Sequence, residues 1–275
     1  MNKRIVIIIT IIICILLVSV LNMWFIPSRN EIKYKSIVYE ELNEKIEEAK
    51  KSIVGIIPEE KWGSDSSYNG IGSGIIFDKN DNTYYVLTAK HVIEKENINY
   101  RLFTINTEFK GQIVGTDNKN IIFIIPDQSY YDSLINTKIE YVSDNSDLAI
   151  LSFESDEELP VLEFETNKPK IGDKVVAIGH PEGEKYVVSY GNIISDLKTI
   201  TLYSKGSSKK LTDKVIEHNA FINFGNSGGA LLSENMKIIG INIGGEFSIL
   251  RYFKKGFAIP YDIIEENINK WRKSK

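Results

Sequence analysis

An all-β fold, a barrel or a sandwich, is the architecture this sequence predicts, with a helix at each end of the chain. Three observations carry that reading. From Ser52 to Ala258 short β-branched and aromatic runs alternate with turn residues at near-regular spacing, the signature of many short strands. Between them almost no stretch repeats apolar residues at helical spacing. No period of 20–50 residues and no low-complexity tract is present, which excludes a repeat architecture.

The elements follow in chain order. Ile5 to Ile26 is an almost unbroken apolar run without a charge. A helix rising about 1.5 Å per residue over that length matches a hydrocarbon core of about 30 Å. We read residues 5–26 as a transmembrane anchor. The competing reading is a cleavable signal peptide, but no Ala-x-Ala-like site follows. Ile13 stands where a lipoprotein signal at Cys14 would need a small residue. Lys3 and Arg4 assign residues 1–4 to the cytoplasm under the positive-inside bias. Arg29, Lys33 and Lys35 weaken that asymmetry without reversing it, so the remainder is expected outside the cytoplasm. In the juxtamembrane segment 27–51, Val38, Leu42, Ile46 and Ala49 recur at helical spacing, which predicts an amphipathic helix from about Tyr39 to Lys51.

Strands are expected at Ile53–Ile57, Gly74–Phe77, Tyr84–Thr88, Tyr100–Ile105, Gln112–Val114, Ile121–Ile125, Ile139–Val142 and Leu148–Phe153, with a hairpin turn at Asp78–Asn82. The acidic stretch Glu154–Glu158, then Leu159 and Pro160, lies midway and joins two halves. The second half offers Lys174–Ile178, Tyr186–Ser195, Thr199–Leu202, Val215–Asn219, Ala230–Leu232, Lys237–Ile243 and Gly256–Ala258. A last helix, about Tyr261–Arg272 within residues 261–275, packs back on the strands.

Composition narrows the chemistry. The 275 residues are 43% hydrophobic and 25% charged, with net charge −4, which argues against a nucleic-acid binder. One cysteine excludes an intramolecular disulfide framework and a cysteine-based zinc site. No two of the three histidines, His91, His180 and His218, sit at metal-ligand spacing. Neither a metal nor a cofactor is expected.

Chemistry is instead concentrated at Gly225-Asn226-Ser227-Gly228-Gly229. Glycine lets the backbone turn sharply, so N–H groups can converge on one point. A nucleophilic hydroxyl beside such donors suits acyl transfer, where negative charge develops on an oxygen. The hydroxyl needs a base to take its proton, and histidine titrates near neutrality. His91, just after the apolar run Tyr84–Thr88, is the candidate base. A carboxylate must fix its tautomer, and Asp147, opening Asp147-Leu148-Ala149-Ile150-Leu151, fits best. Asp144 and the stretch Gly115–Asn120, which also precedes an apolar run and would put Asn120 in the third position, are the rival positions.

Taken in order, these segments resemble the trypsin-like serine proteases, and within them the HtrA/Deg branch. Thr88-Ala89-Lys90-His91-Val92 is similar to that branch's histidine motif, Ser146-Asp147-Leu148-Ala149-Ile150-Leu151 to its aspartate motif, and Gly225-Asn226-Ser227-Gly228-Gly229-Ala230-Leu231 to its serine motif. Ser52–Ile56, Ile171–Gly179, Gly240-Ile241-Asn242 and Gly256–Pro260 add supporting matches. The order His, Asp, Ser separates this arrangement from the subtilisin and α/β-hydrolase orders. The resemblance implies a chymotrypsin-like domain over residues 52–260, with two six-stranded antiparallel β-barrels at about 52–160 and 170–260. It further implies a cleft holding His91, Asp147 and Ser227, with the N–H groups of Gly225 and Ser227 as the oxyanion hole.

Several departures and gaps accompany it. The branch's usual C-terminal PDZ domain has no counterpart in the residues up to Lys275. His91 and Asp147 are 56 residues apart, which implies an insertion near Asn118–Glu140. Phe224 stands where a proline usually precedes Gly-Asn-Ser. By resemblance the primary pocket is lined around Phe221 and Ile243-Gly244-Gly245. Phe221 occupies the place of an acidic pocket base, so an apolar P1 residue is expected. His180 and His218 are read as structural or exposed. The expected protein is a membrane-anchored serine endopeptidase acting on unfolded or extracytoplasmic proteins or peptides. The alternative is a catalytically silent peptide-binding module of the same fold. Sequence is silent on oligomeric state.

Overall fold

The computed structural model describes residues 43–275 apart from 63–64, 69, 96–97, 109–110, 117–121, 127, 182–185, 204–209, 249 and 251. The proposed anchor at 5–26 therefore lies outside the described residues, as does the start of the expected Tyr39–Lys51 helix. Among the described residues no helix is long and apolar enough to cross a membrane. The first helix among the described residues, α1, runs Asn43–Lys50 and buries Ile46 and Ala49.

The first half contributes β1 (Ile53–Trp62), β2 (Asp65–Tyr68), β3 (Gly72–Asn80), β4 (Thr83–Thr88) and β5 (Asn99–Phe103). After these come β6 (Gly111–Thr116), β7 (Ile122–Pro126), the short helix α2 (Gln128–Asp132), β8 (Ile135–Asn136), β9 (Lys138–Val142) and β10 (Ala149–Glu154). The expected six-stranded barrel is here an eight-stranded sheet in the order β8-β5-β1-β3-β4-β10-β9, with β2 paired to β1. Its two edges are not hydrogen-bonded to each other. Only Thr137 separates β8 from β9, however, so the edges are brought together by the chain and the sheet curls into a barrel-like form. β6 and β7 pair apart from it as a hairpin. At Asp81 φ is +51°, which lets two residues close the β3–β4 hairpin.

The second half holds β11 (Lys174–Gly179), β12 (Val187–Tyr203), β13 (Lys210–His218), β14 (Ala230–Ser233), β15 (Ile238–Phe247) and β16 (Phe253–Pro260). These close into a six-stranded barrel in the order β11-β12-β13-β16-β15-β14. Two runs expected as separate strands, Tyr186–Ser195 and Thr199–Leu202, form the single strand β12. Register shifts at Ile193/Ser195 and Ser195/Lys198 bend it where the sequence pattern breaks. The chain ends in α3 (Tyr261–Ser274).

Three apolar clusters explain why the strands read as continuous apolar runs rather than alternating ones. Val54, Ile56, Ile76, Val86, Ala149 and Leu151 fill the first half. Val175, Ala177, Ile193, Ile216, Leu231 and Ala258 fill the second barrel. Their sequence neighbours Ile53, Ile75, Leu87, Ile150, Val176, Ile178 and Leu232 point the opposite way and meet in a central cluster between the halves. Successive side chains alternate faces, and here both faces are buried. α3 adds Ile264, Ile268 and Trp271 to that central cluster, one face of a helix at i, i+4 and i+7. Trp271 meets Tyr85 and Phe77 edge-on at centroid distances of 4.9 and 6.0 Å.

Candidate active site

Strand register brings the histidine and aspartate motifs together. β4 pairs with β10, and Ala149 lies opposite Thr88. Just beyond that pair, the chain leaves β4 through Ala89 into a 3-10 turn, Lys90–Ile93, and enters β10 through Asp147. His91 and Asp147 sit at those two neighbouring ends. Asp147 grips His91 at two points. Its Oδ1 accepts the His91 backbone N–H at 2.9 Å and its Oδ2 faces the ring Nδ1 at 2.5 Å.

The aspartate side chain is 2% exposed and the histidine 32%, so the carboxylate is shielded while the ring reaches an open face. Burial is the largest influence on His91 and lowers its pKa. The hydrogen bond and charge of Asp147, aided by Glu94, outweigh it, so the pKa lies above the ordinary imidazole value. Of the rivals, Asp144 is exposed on the loop before Asp147, and Asp117–Asn120 lies outside the described residues.

The second barrel delivers the serine loop. Ala230 of β14 pairs with Ile178 on one side and Ile241 on the other, which anchors the end of Gly225–Gly229. Gly225 has φ +100° and Gly228 φ +84°, conformations that favour glycine. A Cβ on Gly225 would lie 2.2 Å from the His180 carbonyl oxygen, and one on Gly228 2.1 Å from that of Ser73. Within the loop, the Asn226 N–H donates to the Asn223 carbonyl and the Gly229 N–H to that of Asn226. The Gly228 N–H reaches the Asn242 carbonyl at 2.7 Å.

Contacts to the first sheet place this loop beside the histidine turn. The Ser73 N–H donates to the Ser227 carbonyl at 2.8 Å, and a Cβ on Gly228 would meet Thr88 Oγ1 and Ala89 N. Ser227 is half-buried. Among the described residues its hydroxyl makes no hydrogen bond, and the N–H groups of Gly225 and Ser227 donate to no protein acceptor. Two backbone donors and a hydroxyl are thus left free on one loop next to His91. Phe224, just before the loop, is 77% exposed.

The pocket residues divide. A Cβ on Gly244 would meet nothing within 4 Å, whereas Gly245 is walled by Lys255, Phe253 and Phe247. Phe221 is half-buried and packs edge-on against Phe253 at 5.2 Å. Ile243 differs from expectation: it is 3% exposed within the central apolar cluster, because it falls on the face of β15 turned toward the first half. Among the described residues no group of three His, Cys, Asp or Glu side chains could hold a metal ion.

Three buried polar residues at the site carry no motif of their own. Asp213 of β13 accepts the Asp147 backbone N–H at 2.6 Å, tying the second barrel to the aspartate. Burial, partly offset by its backbone hydrogen bonds, holds its pKa above the ordinary aspartate value. His218 is fully buried, and its Nε2 faces Asn242 Oδ1 at 3.0 Å. Asn242 Nδ2 donates to the Ala230 carbonyl, so its oxygen faces the histidine and the Nε2 carries the proton. Burial pushes the His218 pKa down to about 4. Ser73, wholly buried on β3, binds both sides of the serine loop. Asp213 and His218 stand among polar neighbours, in Thr212-Asp213-Lys214 and Glu217-His218-Asn219, and Ser73 stands between two glycines, so no local pattern singles any of them out.

Residues 72–241 match the family model described as a trypsin-like peptidase domain. The chain is 30% identical over 210 residues to the probable periplasmic serine endoprotease DegP-like of Rickettsia prowazekii, covering 74% of this chain and 34% of that protein. It is 32% identical over 201 residues to the periplasmic pH-dependent serine endoprotease DegQ of Escherichia coli K12, covering 70% and 35%. It is 28% identical over 257 residues to the serine protease Do-like HtrA of Bacillus subtilis, covering 86% and 51%. The chain therefore spans about a third to a half of the length of these relatives.

Proposed function

The chain belongs to the trypsin-like peptidase domain family, and we propose that it is a serine endopeptidase with Ser227 as nucleophile, His91 as general base and Asp147 as orienting carboxylate. The observation that carries this reading is the two-point grip of Asp147 on His91 beside a serine loop with two unused N–H donors. The Ser227 hydroxyl attacks the scissile carbonyl while His91 Nε2 takes its proton. Asp147, accepting from Nδ1–H, keeps Nε2 available and stabilises the imidazolium. Gly225 and Ser227 N–H groups receive the oxyanion, and one such donor is worth about 3–4 kcal/mol. His91 then hands its proton to the leaving amine, and water repeats the sequence to release the acyl group. None of these steps calls on a cofactor.

The same reading extends outward. Residues 52–260 are the protease domain, and residues 5–26 anchor it on the outer face of a cell membrane. Relatives named as periplasmic serine endoproteases support an extracytoplasmic location and protein substrates. Gly244, with open space before it, and Phe221 suit an apolar P1 side chain.

One observation favours a second reading, a silent peptide-binding module: the Ser227 hydroxyl is not bonded to His91. Serine–histidine hydrogen bonds commonly tighten only with substrate in place, so that observation does not outweigh the rest. A fluorophosphonate probe separates the two readings. The wild-type chain should be labelled and Ser227→Ala should not. A folded wild-type chain that takes no label refutes the endopeptidase.

A further inference from the structure

Phe224 leaves the serine loop without the rigidity that a proline at that position would supply, so something else must hold its glycines in place. Ser73 meets that need. It is 0% exposed on β3 of the first sheet, and both main-chain groups and its hydroxyl are used. Its hydroxyl donates to the Gly225 carbonyl at 2.7 Å and accepts the His180 N–H at 3.0 Å. Its N–H donates to the Ser227 carbonyl at 2.8 Å, and its own carbonyl accepts the Thr88 hydroxyl at 2.7 Å.

These contacts fall on alternate peptide planes of the loop. The 225–226 plane is pinned by Ser73 Oγ on its carbonyl side and by Asn223 on its N–H side. The 227–228 plane is pinned by the Ser73 N–H and by Asn242. The plane between them carries the Ser227 N–H, and the plane before them carries the Gly225 N–H. Each free donor thus adjoins a plane held by Ser73. Rotation of a peptide plane needs compensating rotation of its neighbours, which these bonds oppose.

We propose that Ser73 is a positioning residue for the reaction, its hydroxyl holding the Gly225 carbonyl so that the N–H groups of Gly225 and Ser227 stay available to the oxyanion. The proposal rests on the endopeptidase reading above. Ser73 acts through Gly225 and does not touch substrate. The hydroxyl has one proton, and it goes to the Gly225 carbonyl, so His180 Nδ1, 3.4 Å from Ser73 Oγ, does not receive it.

The test compares the wild-type chain with Ser73→Ala and Ser73→Cys, the second keeping the side-chain shape, slightly enlarged, while weakening the donor. Fluorophosphonate labelling, peptide turnover, affinity for a peptide boronic acid and thermal unfolding are measured. Both variants should lose kcat, Ser73→Ala by about 100-fold, with KM nearly unchanged. Boronate affinity, which reports the tetrahedral state, should fall by the same factor, while affinity for the uncleaved peptide stays put. Kinetics and boronate affinity within about threefold of wild type in either folded variant overturn the proposal but leave the endopeptidase standing. Equal losses of boronate and peptide affinity also overturn it, since they mark a merely structural role. A wild-type chain that takes no label overturns both readings.

Discussion

Replacing Asp147 by asparagine tests the site at its most constrained contact. The carboxylate uses one oxygen for the His91 N–H at 2.9 Å and the other for the ring Nδ1 at 2.5 Å. Asparagine is nearly the same size but has only one acceptor. If its oxygen keeps the backbone N–H, its NH2 group faces Nδ1. The ring must then accept there and carry its proton on Nε2, where it cannot deprotonate Ser227. If the amide flips, two N–H donors face each other in a site where the side chain is 2% exposed, which costs about 1–3 kcal/mol. The first arrangement is therefore favoured and the base is in the wrong tautomer.

The expected loss in kcat is about 10⁴-fold, or about 5.5 kcal/mol of transition-state stabilisation. A second readout comes from the pH profile. In the wild-type chain Asp147 outweighs burial and raises the His91 pKa, so the acid limb of kcat/KM should lie above the ordinary imidazole value. Without the carboxylate's charge, burial dominates and the limb should move below it. Steady-state hydrolysis of a peptide ester across pH measures both effects. A folded Asp147→Asn chain that retains kcat within about tenfold of wild type would refute the assignment and return attention to Asp117–Asn120.

Two further expectations concern stability. His218 titrates at about 4 in the folded chain and at about 6.5 unfolded, so the unfolded chain takes up a proton that the folded one refuses. Its contribution is fully present above about pH 6.5 and is lost as pH falls toward 4, to a total of about 3 kcal/mol. Urea unfolding at pH 7 and pH 4 should show the wild-type chain losing more stability than His218→Gln by about that amount, and equal losses would refute the burial argument. Trp271→Ala removes the side chain that joins α3 to Phe77 and Tyr85. It should cost about 3–5 kcal/mol in denaturant unfolding, and a change below about 1 kcal/mol would mean that α3 does not brace the two halves.

Much of the fold was legible before any coordinates. Runs such as Ile75-Ile76-Phe77 and Val175–Ile178 are strands because β-branched residues suit a pleated backbone, and turn residues bound them. Their continuity was informative too: an apolar residue on both faces requires a partner layer on both, here the interior of each half and the cluster between them. What did not show was closure. Whether strand edges hydrogen-bond or merely adjoin, as β8 and β9 do across Thr137, depends on curvature that no local pattern encodes. The join of two expected strands into β12 has the same cause, since bulges let one strand bend where the sequence pattern breaks off.

At the candidate site the division is sharper. Residue types and their motif order point to His91, Asp147 and Ser227 as the proposed triad, because a nucleophile, a base and a carboxylate are each needed and glycines must surround the first. Glycine at 225 and 228 likewise follows from backbone conformation that a side chain would strain. Only the folded chain decides that Ala149 lies opposite Thr88 and so brings Asp147 to His91. It likewise decides that Ser73 and Asn242 hold the serine loop and that Asp213 holds Asp147, from three different strands. Ile243, expected in the pocket, instead joins the core because strand register sets which face it takes. Sequence supplies the functional groups through their covalent chemistry; which of them meet is fixed by strand pairing between residues far apart along the chain.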